Sequence, residues 1–347
     1  MAKAREKTTR ANRKPHFRIL SIDGGGIRGI IPGQILVMLE NLLQKLTKKR
    51  NARIADYFDL IAGTSTGGIL ACAYLAPERG SKRPRFSAQE AVDLYLDRGD
   101  EVFDLSLWQR VKSGGGLTDE KYSADGLEEA LDDYFSDLKL SELLKPCLVT
   151  AYDIRRRKAH FFRQHKAQAA NRDNFHVKDV ARATSVAPTF FEAARVKSLT
   201  NVPYPLIDGG VFANNPALCA YAEARKMANK PTAKDMLILS LGTGKILNPY
   251  PYNNAKNWGA LEWIKPVLDI MMSGVSETVD YQLTQIYDAV GRPDQYLRIS
   301  PGLGEAKPDM DDASPENLRA LRDAGQEAAQ NHVDELEGFA RKLIAVG

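Results

Sequence analysis

Short apolar runs, glycine-rich breaks and helix-period segments follow one another along most of the chain. Residues 16–23 (HFRILSID) read as a first strand. After it, Ile31, Ile35, Leu36, Leu39, Leu42 and Leu43 recur three and four apart, which predicts a helix with one face against a sheet. Residues 57–62 (YFDLIA) predict a second strand, followed by the turn Gly63-Thr64-Ser65-Thr66-Gly67-Gly68 and an apolar helix (ILACAYLA). Residues 148–154 and 159–163 flank Arg155-Arg156-Arg157-Lys158 and predict a hairpin, and residues 206–208 and 236–241 continue the strands. Asn215-Pro216 marks a helix start, since Asn can cap and Pro lacks only an N–H that would be unpaired there, and Ser314-Pro315-Glu316 repeats the pattern. Strands alternating with helices predict an α/β protein around a mostly parallel sheet. Residues 80–125 are polar and broken by Gly114-Gly115-Gly116, a flexible loop, and are expected to form a helical insertion over the sheet edge, outside the core. The expected organisation is a flexible tail (1–15) and one domain (16–347) that ends in a helical segment (305–347).

Composition adds exclusions. The 347 residues are 44% hydrophobic and 27% charged with a net charge of +4, which is ordinary for a globular protein. Lys3, Arg5, Lys7, Arg10, Arg13 and Lys14 face only Glu6 in the first fourteen residues, so the tail carries +5 and the remainder −1. The body is therefore no surface for a nucleic-acid polymer. No apolar core follows the basic tail as in a secretory signal, and no apolar run reaches the roughly 18 residues of a membrane span. Cys72, Cys147 and Cys219 are odd in number and set in apolar stretches, which predicts reduced, buried thiols of a cytoplasmic protein and no metal pattern.

Gly63-Thr64-Ser65-Thr66-Gly67 matches G-x-S-x-G after a strand and before a helix, where flanking glycines permit a tight turn that presents the serine hydroxyl. Asp23-Gly24-Gly25-Gly26-Ile27-Arg28-Gly29 also sits at a strand-to-helix turn. It satisfies G-x-G-x-x-G, yet the acid of a dinucleotide site is missing, because Glu40 falls within the helix and the second strand ends in the serine turn. No Gly-Lys-Ser/Thr follows for a P-loop. Successive glycines instead expose backbone N–H groups, as an oxyanion hole requires, with Arg28 nearby. Asp208-Gly209-Gly210 ends another strand and leaves its carboxylate sterically open.

These three motifs in this order resemble the patatin-like lipid acyl hydrolases. Residues 181–185 (ARATS), Ala187-Pro188-Thr189-Phe190-Phe191, Asn214-Asn215-Pro216 and residues 239–244 (LSLGTG) extend the resemblance over roughly residues 17–299. It implies a three-layer α/β/α fold with a Ser–Asp dyad and no catalytic histidine: Ser65 as nucleophile, Asp208 as general base, and Gly24, Gly25 and Gly26 as the oxyanion-hole turn oriented by Arg28. It further implies hydrolysis of carboxylic esters in membrane glycerophospholipids, without metal or redox cofactor, by a cytoplasmic protein associated peripherally with the inner membrane surface. The chain's look is similar to bacterial members gated by cyclic dinucleotides in antiphage defence, which makes a cyclic dinucleotide an expected activator; homo-oligomerisation is left open. The rivals are an esterase with a Ser-Asp-His triad, for which only His332 follows Asp208, and a non-enzymatic lipid-binding module. His160, His165 and His176 are expected to be solvated surface residues. Residues 258–275 (WGALEWIKPVLDIMMSGV), interrupted by Pro266, favour a kinked core helix over a lipid-facing lid. Arg155 to Lys158 read as a solvated hairpin tip or a lipid-phosphate contact.

Overall fold

A computed structural model describes residues 17–102, 125–188, 190–228 and 230–346. The basic tail, His16, Gly114-Gly115-Gly116 and Thr189 lie outside the described residues. Strand β1 (Phe17–Ile22) leads through the glycine turn to helix α1 (Ile30–Thr47). Strand β2 (Leu60–Thr64) leads through Ser65 to α2 (Thr66–Leu75), followed by α3 (Ala88–Val102) and α4 (Asp125–Phe135). The hairpin of β3 (Cys147–Asp153) and β4 (Lys158–Arg163) precedes α5 (Val177–Thr184), β5 (Ala194–Lys197) and β6 (Pro203–Asp208). Then come α6 (Ala217–Ala224), β7 (Met236–Leu241), α7 (Ala260–Ala289), β8 (Tyr296–Ile299), α8 (Pro315–Asn331) and α9 (Val333–Val346).

The strands form one sheet in the order β5-β6-β3-β2-β1-β7-β8, with β4 on β3. Pairs β1–β2, β2–β3, β1–β7 and β7–β8 are parallel, whereas β3–β4, β3–β6 and β5–β6 are antiparallel. Because strand side chains alternate faces, the central strands feed two cores. Leu20 and Ile22 of β1 and Leu237, Leu239 and Leu241 of β7 pack with α1, α2 and α5. Ile19, Met236 and Ile238 face the other way, onto Ala217 and Ala220 of α6 and Leu283 and Tyr287 of α7. The result is a helix–sheet–helix sandwich around a mostly parallel sheet. In α1 the apolar positions read from the sequence are all buried, and α2 is buried along its whole length, so its lack of a polar face follows from its central place.

Three expectations are corrected. Helix α3 is not an overlay on the sheet edge: Ala88, Ala91, Val92 and Tyr95, one stripe at helical spacing, are buried in the larger core, and the Tyr95 hydroxyl donates to the Thr66 carbonyl (2.9 Å). Its polar residues misled because they occupy the other face. Pro266 does not interrupt α7, which runs 30 residues, and α7 is not simply a core helix. Its second half anchors Leu283 and Tyr287, while Leu261, Trp263, Ile264, Val267, Ile270 and Met271 of its first half are exposed. Nor are the histidines solvated. The His160 ring stands 4.5 Å from Phe162 and 5.2 Å from Tyr204, and burial pushes its pKa down to about 4. His165 Nε2 lies 3.0 Å from Glu223 Oε1, and His176 is half-buried. Cys72 and Cys147 are free and buried and Cys219 is free and partly buried.

Candidate active site

Ser65 occupies the corner between β2 and α2 at φ 55° and ψ −126°, a left-handed setting that an L-residue holds only when its surroundings impose it. Those surroundings are specific. A Cβ on Gly63 would stand 2.1 Å from the Gly67 carbonyl oxygen, and one on Gly67 would stand 2.2 Å from the Ile22 carbonyl oxygen. The two glycines of G-x-S-x-G thus face each other, and the second lets α2 press onto the end of β1. The Ser65 N–H donates to Thr184 Oγ1 (2.9 Å), whose hydroxyl donates to the Thr150 carbonyl (2.7 Å). The Ser65 carbonyl accepts from Gly68 N–H (2.8 Å) and Ile69 N–H (3.1 Å), starting α2. Thr184 belongs to the A-R-A-T-S segment noticed in the sequence, where nothing showed that it pins the serine corner.

Asp208 arrives by an indirect route. Strand β6 runs against β3, so in full register its C-terminus would lie at the wrong edge of the sheet. The two overlap only from Asp153↔Leu206 to Ala151↔Asp208, and β3 pairs with β2 through Thr64↔Thr150. Asp208 therefore stops level with the carboxyl edge, beside Ser65. The carboxylate is buried and accepts from Gly210 N–H (2.7 Å). Burial pushes its pKa up to about 6, while the bonds from Gly210 and the Ser65 hydroxyl pull the other way. A Cβ on Gly209 would meet Thr150 Oγ1 at 2.1 Å, so the D-G-G motif packs tightly on β3 and is no loose turn.

The glycine turn is held from several directions. Gly24 N–H donates to the Asn214 carbonyl (3.1 Å), Ile27 N–H to the Met310 carbonyl (2.9 Å), and Thr243 Oγ1 to the Gly24 carbonyl (2.7 Å). Arg28 N–H and Nε both donate to the Gly25 carbonyl, at 3.2 and 3.3 Å, which ties Arg28 to the turn. Burial lowers the Arg28 pKa to about 10, which leaves it cationic near neutral pH. Gly24 does not line the cavity at Ser65, and its amide is engaged; Gly25 and Gly26 do line it. The candidate donors narrow from three glycines to two. Asp23, ahead of the turn, forms a buried bidentate pair with Arg298 of β8 (2.9 and 2.5 Å), and Arg298 also reaches Ser240 Oγ (2.8 Å). Arg298 lies 275 residues from Asp23, and no local sequence signal marks it.

Ser65, Asp208, Gly25 and Gly26 open onto a cavity of about 40 Å³ walled largely by Ile69, Leu127, Phe190, Phe191, Met272 and Met310. No described histidine lines it, and His332 instead pairs with Glu335 at the junction of α8 and α9. Among the described residues no group of three or more His, Cys, Asp or Glu is placed to hold a metal, and no helix is long and apolar enough to cross a membrane. A strained serine beside a buried carboxylate, with backbone amides at a glycine turn and an apolar cavity, has the constellation of a serine acyl hydrolase.

Comparison with known proteins agrees. The profile of the family described as Patatin-like phospholipase matches residues 20–221. Patatin-like protein 3 of Arabidopsis thaliana is 34% identical over 91% of this chain and 81% of its own. Patatin group J-1 of Solanum tuberosum is 30% identical over 99% and 94% of the two chains. The chain belongs to the patatin-like phospholipase family, and membership supports lipid acyl hydrolysis as its general activity. Another S. tuberosum relative, 31% identical over 91% of this chain and 87% of its own, is named Probable inactive patatin-3-Kuras 1, so membership alone does not decide whether a member is active. Among solved structures, VipD from Legionella pneumophila is 14% identical over 92% of this chain and 67% of that one at a TM-score of 0.37, too distant to inform the site.

Proposed function

We propose that this protein cleaves carboxylic ester bonds of membrane glycerophospholipids with a Ser65–Asp208 dyad. The observation that carries this reading is the buried carboxylate of Asp208, raised to about 6, facing a serine held at positive φ. A carboxylate near its usual value of about 3.9 is a weak base, and desolvation strengthens it. The Asp208 carboxylate takes the Ser65 proton as Oγ bonds to the ester carbonyl carbon, and the Gly25 and Gly26 amides receive the developing oxyanion. The C–O bond to the leaving alcohol then breaks and Asp208 returns the proton to its oxygen, leaving an acyl-Ser65. Water repeats the sequence: Asp208 takes its proton, hydroxide adds to the acyl carbon, and Ser65 leaves with the proton. A missing amide at such a site typically costs about 3–4 kcal/mol of barrier lowering.

The base must be ionised, so kcat/KM for a soluble ester is expected to rise with pH through a limb near 6 and level off above about 7. An organophosphonate that phosphonylates activated serines should label Ser65, followed by peptide mass spectrometry, with the same limb. A flat profile from pH 5 to 8, or label on another serine, would remove Asp208 from the role of base.

Met272 of α7 and Met310 line both this cavity and the one beside it, so a shift of either side chain would change access to Ser65. That placement suits gating, and a cyclic dinucleotide is the activator to test; assays with and without a panel of these ligands decide it. The lipid-facing alternative for α7 also gains support. Leu247 and Leu261 are each 81% exposed, Trp263, Val267, Ile270 and Met271 form one stripe, and Tyr250, Trp258 and Trp263 cluster edge to face beside it. Aromatic and aliphatic groups next to a lipid-hydrolysing cavity suit the bilayer interface. Replacing Ile264 and Val267 together by glutamate should weaken sedimentation with phospholipid vesicles by about tenfold or more. Unchanged sedimentation would take this face off the membrane.

A further inference from the structure

A second cavity adjoins the catalytic one, and Met272 and Met310 line both. Its volume is about 170 Å³, room for on the order of ten water-sized spheres. One wall is a single face of α7: Asp269, Met272, Ser273, Ser276, Glu277 and Asp280 follow at the helical intervals of three and four. This stripe carries three carboxylates and two hydroxyls. Arg28 and Asn214, 5% and 6% exposed, line the cavity as well, and Asn214 Nδ2 donates to Ser276 Oγ of the stripe (3.1 Å). Each holds a buried polar atom without a hydrogen-bond partner, Arg28 Nη1 and Asn214 Oδ1. An unpaired buried donor or acceptor is costly, and such atoms along a cavity wall are where a ligand's polar groups recover that cost.

The charges narrow the ligand. Asp23 and Arg298, which also reach this cavity, neutralise each other in their bidentate pair. Lys245 lies exposed at the rim. Inside, a guanidinium fixed through Nε to the oxyanion turn faces a helix bearing carboxylates. Asp269 accepts from the Tyr250 hydroxyl (2.9 Å) and Asp280 from the Tyr296 hydroxyl (2.8 Å), which anchors both carboxylates, while Glu277 is exposed. A purely anionic ligand would be repelled by three carboxylates. Arg28 already feels the charges of Asp269 and Asp309, yet its Nη1 makes no hydrogen bond, and an anionic group would use that donor where a purely cationic ligand could not.

The geometry points to this cavity as the head-group subsite of the hydrolase, built for a zwitterionic phospholipid: the phosphate meets Arg28, and the ammonium meets the carboxylates of α7. The assignment rests on the lipid hydrolase reading above and adds the substrate class. With the ester at Ser65, the shared Met272–Met310 boundary places the phosphate side of the lipid next to the glycine turn. Glu277, exposed, lies about 8 Å further along the helix axis from Met272.

The test compares phosphatidylethanolamine with phosphatidylglycerol of identical acyl chains in neutral detergent micelles at about 0.2 M salt, where the basic tail's attraction to anionic surfaces is screened. Wild-type protein is expected to favour the ethanolamine lipid about tenfold in kcat/KM, the Glu277→Gln protein about twofold, and Glu277→Lys to favour phosphatidylglycerol. A ratio measured within one preparation is insensitive to partial loss of folded enzyme. Equal rates on both lipids in wild type, or a ratio that Glu277→Lys leaves unmoved, overturns the subsite. Calorimetry on the Ser65→Ala protein with dihexanoyl lipids below their micelle concentration reads the same preference without turnover. Tighter binding of the ethanolamine lipid supports the subsite even if the dyad assignment fails, and absence of a difference overturns it even if the dyad assignment holds. Glycerophosphoethanolamine binding as tightly as the lipid would assign the cavity to a soluble diester instead.

Discussion

Ser65→Ala is expected to lower ester hydrolysis by about 10⁴-fold or more, and Asp208→Asn by a comparable factor, with the double variant scarcely worse than either. On the proposed mechanism the two residues act as one unit: without the hydroxyl the base has nothing to deprotonate, and without the base the hydroxyl is a poor nucleophile. Rates on a soluble ester, with circular dichroism to show retained fold, check this. Factors that multiply in the double variant would mean that serine and carboxylate act separately. His332→Ala should change little, because that ring pairs with Glu335 away from the cavity. The Asp208 variant carries a second signature. Its native pKa is raised above the unfolded value, so the group is neutral in both states only below about pH 3, and above pH 6 the folded state bears the cost of a buried charge. Asparagine removes that cost. Asp208→Asn should therefore melt a few degrees higher than wild type near pH 8, with the gap closing toward pH 3, a stabilisation on the order of 2 kcal/mol at the higher pH. Equal melting temperatures at pH 8 would mean that the carboxylate is solvated.

Gly67→Ala is expected to be the most damaging single methyl group in this site, costing about 3 kcal/mol or more. The added Cβ would lie 2.2 Å from the Ile22 carbonyl oxygen and 2.7 Å from that of Asp23, and both are backbone atoms of a central strand end that cannot swing aside. Helix α2 would have to withdraw from β1, taking Ser65 from the glycine turn, so activity should fall along with stability. A contrasting control is Gly274→Ala on α7, where a Cβ meets nothing within 4 Å and a helix gains from the change. Chemical denaturation midpoints separate the two: a loss under about 1 kcal/mol at Gly67 would show that the close approach of α2 to β1 is not required.

Much of the site was legible because its demands are local. A serine at positive φ between a strand and a helix needs small neighbours on both sides, and the resulting spacing survives in any sequence that folds this way. The stripe of Ile31, Ile35, Leu36, Leu39, Leu42 and Leu43 was equally readable, since one helical face decides it. Where one segment serves two environments, pattern reading failed. Helix α7 is core at Leu283 and surface at Leu261, and an average over it hides both. Helix α3 looked polar because its outward face is, although the other enters the core through Ala91 and Tyr95. His160 looked solvated among arginines, yet Phe162, Phe175 and Tyr204 enclose it from three separate segments.

The sequence by itself determined which residues could do the chemistry: the serine corner, the row of glycines and the aspartate before two glycines are each written in a handful of neighbouring positions, because steric permission is a short-range property. Only the tertiary structure decided that they meet and what they become. Asp208 reaches the serine because an antiparallel strand overlaps β3 by three residues and stops. Gly24 leaves the set of free amides because Asn214, far along the chain, takes its N–H. Thr184 and Arg298 hold the two turns from α5 and β8. The basicity of Asp208 comes from burial, the joint result of every element packed around it, and no stretch of sequence encodes that alone.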